Sequence, residues 1–150
     1  MSRTSSAEDA AIGFAYELKA LVPALNAALA EVFHPLGLSC VQADALMALE
    51  ELQPVTLSGL SGRLVAESGH PSRLITRLEG MGLVRREASP YDGRASLLSL
   101  TEDGAAKAAA ARAARAPLAR ELGERNAALA ELTDTLRRLR LELDGMRDVS

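Results

Sequence analysis

The sequence predicts a mainly α-helical chain with one small β-hairpin, and three observations carry that prediction. Leucines and valines recur at helical spacing near both ends of the chain. The middle holds short apolar-periodic segments, each preceded by a residue suited to capping a helix. Late in that middle, two strand-like runs flank Ser89-Pro90-Tyr91-Asp92-Gly93.

The 150 residues, 48% hydrophobic and 25% charged, suit a single domain spanning 1–150. No apolar run reaches the ~18 residues that a membrane helix needs. The start, Met1-Ser2-Arg3-Thr4-Ser5-Ser6 followed closely by Glu8 and Asp9, lacks the apolar centre of a signal peptide. A cytoplasmic protein without a membrane partner is the expectation. One cysteine, Cys40, excludes an internal disulfide, and two histidines, His34 and His70, have no metal-site spacing. No metal or other cofactor is expected. The core is poor in aromatics, with no Trp, which a small chain tolerates best when a partner copy adds buried area.

In residues 8–36, Leu18, Val22, Leu25, Leu29, Val32 and Leu36 alternate steps of four and three, so they share one stripe of a helix. Pro23 is expected to bend that helix and Gly37 to end it. Ser39 then caps a second helix, about 40–52, with Leu46, Leu49 and Leu52 as its buried face. Thr56 caps a third, buried through Leu57, Leu60 and Leu64. Glu67-Ser68-Gly69-His70-Pro71 breaks the pattern, and a fourth helix runs from a first turn containing Pro71 to about Met81, closed by Gly82. The runs Leu83 to Ala88 and Arg94 to Leu100 form the hairpin. Thr101 caps an alanine-rich helix to about Leu122, kinked at Pro117, with a break over Gly123 to Asn126. The last helix, about 127–146, carries Leu129, Leu132, Leu136, Leu139, Leu143 and Met146 in a heptad seam.

The fourth helix carries the chemistry. Leu74, Leu78 and Met81, with Ile75 beside them, fall on one face; Ser72, Arg73, Thr76, Arg77 and Gly80 fall on the other. Arginine reads guanine edges bidentately, and serine or threonine contacts phosphates or bases, so this face suits the major groove of double-stranded DNA. The shorter helix before it, Leu57 to Leu64, completes a helix-turn-helix. Arg94, on a protruding turn, suits the narrow minor groove, and Asp92 is expected to hold its guanidinium. Net charge agrees: residues 55–100 sum to +2 while the flanks sum to −5. The reading is a winged helix-turn-helix lobe at 38–100, with dimerisation helices at 8–36 and 102–147.

These residues together resemble the MarR family of transcriptional regulators. The resemblance lies in Gly37-Leu38-Ser39 with Gln42, in Leu57 to Leu64, in Arg77-Leu78-Glu79 and in Gly82-Leu83-Val84. It is most specific from Asp92-Gly93-Arg94 through Leu98-Ser99-Leu100-Thr101-Glu102-Asp103-Gly104. It covers roughly residues 30–105 by motif and the flanking helices by pattern. Two departures stand out: the fourth helix is entered through Ser68-Gly69-His70-Pro71, and Gly93 stands where an arginine is frequent. The family implies a homodimer on pseudo-palindromic DNA, released by a small effector, often an apolar or phenolic acid. The dimer surfaces would then include Leu18, Leu25, Leu129, Leu132, Leu136, Leu139 and Leu143. Family members that sense oxidants place a cysteine near the start of the first helix, where this chain has none; Cys40 reads as structural and His34 as a helix-end or interface residue.

The sequence offers no catalytic residues: there is no phosphate-binding glycine loop, no Gly-x-Ser-x-Gly elbow and no paired histidine and carboxylate. The competing reading is a helical dimer whose middle binds protein without sequence-specific DNA binding.

Overall fold

The structure, a computed structural model, describes residues 3–64 and 70–149. Of the expected break before the fourth helix, Glu67, Ser68 and Gly69 lie outside the described residues. By contacts the chain forms two units, one ending at Arg115 and one beginning at Ala116.

The first unit begins with α1 (Arg3–Phe33), followed by a 3-10 turn (His34–Leu36). The helix runs through Pro23 instead of stopping there, since a single missing donor leaves the other ladder bonds of a long helix intact. Gly37, at φ 71°, ends the turn by donating its N–H to the His34 carbonyl. Only the last part of α1 is committed to this unit's core: Phe33 is fully buried, with Leu29, Val32 and Leu36 packed around it. Farther back, Val22 and Leu25 are exposed.

The expected cap of α2 (Cys40–Leu52) is a complete capping box: Ser39 Oγ accepts from the Gln42 N–H at 3.2 Å, and Gln42 Oε1 accepts from the Ser39 N–H at 3.0 Å. Leu46 and Leu49 are fully buried, as expected. Leu52 is exposed, contrary to expectation. Two steps of three carry it about 120° round the helix from Leu46, so it leaves the core face. Ala43, Ala45, Met47 and Ala48 fill the rest of that face. Cys40 is half-buried and its thiol donates to the Asn26 carbonyl at 3.6 Å, linking α2 to α1.

Next comes β1 (Val55–Thr56), a strand the sequence reading did not contain. Thr56 also caps α3 (Leu57–Arg63), accepting from the Gly59 N–H at 3.1 Å. Leu60 is fully buried, and Leu57 and Leu64 pack partly against the core. Then α4 (Pro71–Gly80) begins at a proline and ends before Gly82, whose φ of 75° turns the chain into β2 (Val84–Ala88). Ile75 and Leu78 are fully buried, whereas Met81, expected on the same face, is exposed. Met81 is the C-cap, where the chain already leaves the helix.

The hairpin closes with β3 (Ser96–Leu100), starting two residues later than expected. β3 is the central strand of a three-stranded antiparallel sheet ordered β1-β3-β2. Leu98 pairs with both Val55 and Arg86 and is fully buried. The free end of this sheet is held by Gln53, whose Oε1 accepts from the Leu100 N–H at 2.9 Å.

A tight corner joins the sheet to α5 (Glu102–Arg125). Thr101 Oγ1 accepts from the Gly104 N–H at 3.0 Å and donates to the Gly82 carbonyl at 2.7 Å, while the Thr101 N–H donates to the Leu83 carbonyl at 3.1 Å. Gly104 is buried against Leu83: a Cβ there would overlap the Leu83 carbonyl oxygen and stand 2.9 Å from its carbon. The Leu-Thr-Glu-Asp-Gly run is thus the seat of the hairpin. α5 continues through Pro117 and past Leu122 to Arg125, because alanine-rich sequence sustains a helix over a single Gly.

In the second unit, α6 (Leu129–Asp148) has no buried residue. Its seam is solvent-facing: Leu129, Leu132, Leu136, Leu143 and Met146 are all exposed, and Leu139 is only partly covered. Among the described residues, no single helix is long and apolar enough to cross a membrane.

Candidate nucleic-acid interface

The interface is built on α4. Ile75 and Leu78 anchor one side in the core, which fixes the rotation of the helix. That rotation leaves Ser72, Arg73, Thr76, Arg77 and Gly80 exposed together on the opposite side. With side chains an α-helix is about 10–12 Å across, which fits a major groove about 12 Å wide. Among the described residues, Arg73 and Arg77 make no ion pair or side-chain hydrogen bond, so their guanidinium donors face solvent. The Thr76 hydroxyl donates to the Ser72 carbonyl at 2.9 Å, which leaves it lone pairs to accept with but no proton to offer.

The other charges nearby are already matched. Arg86 of β2 binds Glu79 of α4 through Nε at 3.0 Å and Nη2 at 2.7 Å. Glu79 is therefore taken by Arg86, and among the described residues Arg77 has no ion-pair partner. Arg86 pairs across from buried Leu98, on the strand face that turns towards α4, a placement that needs the register of the folded hairpin. Arg85 pairs with Glu87 at 3.0 Å, and Arg63 with Glu51 at 3.0 Å. Among the described arginines of residues 38–100, those left without an ion pair are Arg73 and Arg77 on α4 and Arg94 on the hairpin.

At the hairpin, Arg94 is exposed. The role expected of Asp92 is changed: Asp92 Oδ1 accepts from the backbone N–H of Arg94 at 3.0 Å, not from its guanidinium. A carboxylate two residues before an amide closes a local turn more readily than it reaches a long side chain. Asp92 thus shapes the loop, and the Arg94 guanidinium stays available.

No group of three or more His, Cys, Asp or Glu side chains among the described residues could hold a metal ion. His34 is exposed at the start of the 3-10 turn. The exposed leucines of α6 and the exposed Val22 and Leu25 of α1 supply apolar surface outside the lobe.

Comparison with known proteins gives a consistent result. The MarR family profile matches residues 38–96. The organic hydroperoxide resistance transcriptional regulator of Bacillus subtilis (strain 168) is 37% identical over 70 residues, a stretch covering 47% of this chain and 48% of that protein. The match thus spans about half the length of that curated relative. Among solved structures, the transcriptional repressor CouR, bound to a 23-mer DNA duplex, is 26% identical with a TM-score of 0.73, over 82% of this chain and 91% of that one. A mutant MarR from E. coli complexed with operator DNA is 24% identical with a TM-score of 0.78, over 87% of this chain and 96% of that one. At that identity the second likeness speaks for the fold.

Proposed function

We propose that this chain is a transcription regulator of the MarR family, whose profile matches residues 38–96, and that it works as a cytoplasmic homodimer on pseudo-palindromic operator DNA. Each α4 lies in a major groove and each hairpin turn reaches the adjacent minor groove. The observation that carries this reading is the unmatched face of α4, with Ser72, Arg73, Thr76 and Arg77 exposed beside a network in which the neighbouring charges are paired. A surface evolved only for solubility would mix both signs of charge; this helix face carries arginine and hydroxyls without a carboxylate.

The dimer reading rests on the leucine rows. Leu18 and Leu25 of α1, with Leu129, Leu132, Leu136, Leu139 and Leu143 of α6, form apolar strips that a monomer would leave in water. A two-fold dimer then sets two recognition helices about 34–36 Å apart, one turn of the duplex. We read the molecule as a regulator and not an enzyme, and its DNA affinity as modulated by a small apolar or phenolic acid.

The test is selection of duplexes from a random pool by the full chain. The expected result is an enriched inverted repeat whose affinity falls steeply with salt. Recovery of no preferred sequence, together with salt-independent or absent duplex binding, overturns the reading and leaves the protein-binding alternative. A panel of phenolic and lipophilic acids, scored by melting temperature and DNA affinity, tests the effector.

A further inference from the structure

Tyr91, at the tip of the hairpin, is 97% exposed. Among the described residues its hydroxyl has no hydrogen-bond partner. A fully exposed tyrosine on a mobile loop would say little, but this loop is tightly built. Ser89 Oγ accepts from the N–H groups of both Tyr91 and Asp92 at 3.3 Å. Asp92 Oδ1 accepts from the Arg94 N–H at 3.0 Å. The Ser89 N–H donates to the Ala95 carbonyl at 2.9 Å, and the Ala95 N–H to the Asp92 carbonyl at 3.1 Å. Pro90, immediately before Tyr91, further restricts the backbone. The loop therefore spends its own polar groups on itself and presents outward the two side chains it does not use, a phenol and a guanidinium.

We propose that Tyr91 contacts DNA at the rim of the minor groove, its ring packed on a deoxyribose and its hydroxyl donating to the adjacent phosphate. The inference rests on the regulator reading above and extends it to a residue that reading does not need. The chemistry fits the rim better than the groove floor. A minor groove about 6 Å wide admits an arginine but not a stacked ring, whereas its wall offers an apolar sugar edge beside a phosphate oxygen. An amphipathic ring on a pre-ordered turn suits such a surface, because little conformational freedom remains to be lost on binding. Being neutral, Tyr91 adds contact without adding a released counterion.

That last point separates Tyr91 from Arg94 experimentally. On a duplex extending several base pairs beyond the selected site, Tyr91→Ala should weaken binding about three- to tenfold with an unchanged salt slope. Arg94→Ala should weaken binding and make the slope shallower. On a duplex trimmed to the recognition-helix half-sites, Tyr91→Ala and wild type should bind alike. The chain has two tyrosines, Tyr16 and Tyr91. With 3-fluorotyrosine incorporated, two fluorine resonances are expected, assigned through Tyr16→Phe, and only that of Tyr91 should move on adding the long duplex. Should Arg94→Ala weaken binding while Tyr91→Ala does not and the Tyr91 resonance stays put, the Tyr91 contact is overturned and the regulator reading stands. Should wild type bind no duplex at all, both fall.

Discussion

Arg86 donates to one carboxylate oxygen of Glu79 from two nitrogens, Nε at 3.0 Å and Nη2 at 2.7 Å. The contact ties the first strand of the hairpin, β2, to the last turn of α4. The two elements proposed to meet DNA, α4 and the hairpin, are thereby held at one angle. Both side chains are about a third exposed, at 35% and 33%, so the pair contributes modestly to stability. A double-mutant cycle with Arg86→Ala and Glu79→Ala should give a coupling of about 0.5–1 kcal/mol in denaturant unfolding. Its effect on DNA should be larger than its effect on stability, seen as lost affinity in Arg86→Ala at unchanged salt slope. A coupling of zero would mean that the pair does not set the angle.

Gly104→Ala should destabilise the lobe by about 1–3 kcal/mol, because the added methyl overlaps the Leu83 backbone, which cannot swing aside as a side chain could. Thermal melting checks this. Thr101→Val, isosteric but without the hydroxyl, loses both the bond to Gly82 and the cap to Gly104, and should cost about 1–2 kcal/mol. A Gly104→Ala protein that melts like wild type would show that the corner gives way easily.

Arg73→Ala should cost about 1–3 kcal/mol on the selected duplex and relax preference at one or two base pairs, the signature of base readout. Arg94→Ala should weaken selected and scrambled duplexes alike. Asp92→Ala should resemble a milder Arg94→Ala, now for a structural reason: the turn loses the acceptor of the Arg94 amide. Titrations of the three variants on both duplexes, each at two salt concentrations, distinguish these patterns. Equal affinity of Arg94→Ala and wild type on every duplex would remove the hairpin from the interface.

Charging the α6 seam should break the assembly. Leu136→Glu with Leu139→Glu places carboxylates in a row that is otherwise apolar, and sedimentation should show monomers with reduced helix content. A wild-type chain that sediments as a well-folded monomer at low concentration would contradict the dimer.

Much of this fold was legible because its helices are punctuated chemically. Ser39 with Gln42, Thr56, Pro71, Gly37 and Gly82 mark ends through local interactions that a sequence displays directly. What was not legible depended on distance. β1 is two residues that follow a proline and end on the cap of α3, too short to show alternation, and it exists because β3 passes beside it. The basic face of α4 followed from helical spacing alone. The partner of Glu79, by contrast, required knowing that β2 folds back over α4, and the use Asp92 makes of its carboxylate required the loop's backbone path. Leu52 and Met81 misled for a simpler reason: each sits where a helix ends and its apolar stripe has run out.

The central position of β3 has a kinetic consequence. Leu98 closes the sheet against Val55, and Leu100 is held by Gln53, 47 residues earlier in the chain. Loop-closure entropy must be met before those contacts form, which adds to the lobe's barrier to folding. During synthesis, α2, α3 and α4 leave the ribosome before the strand that completes their core. The contacts of β3 with Val55 and Gln53 can therefore form only once residue 100 has emerged.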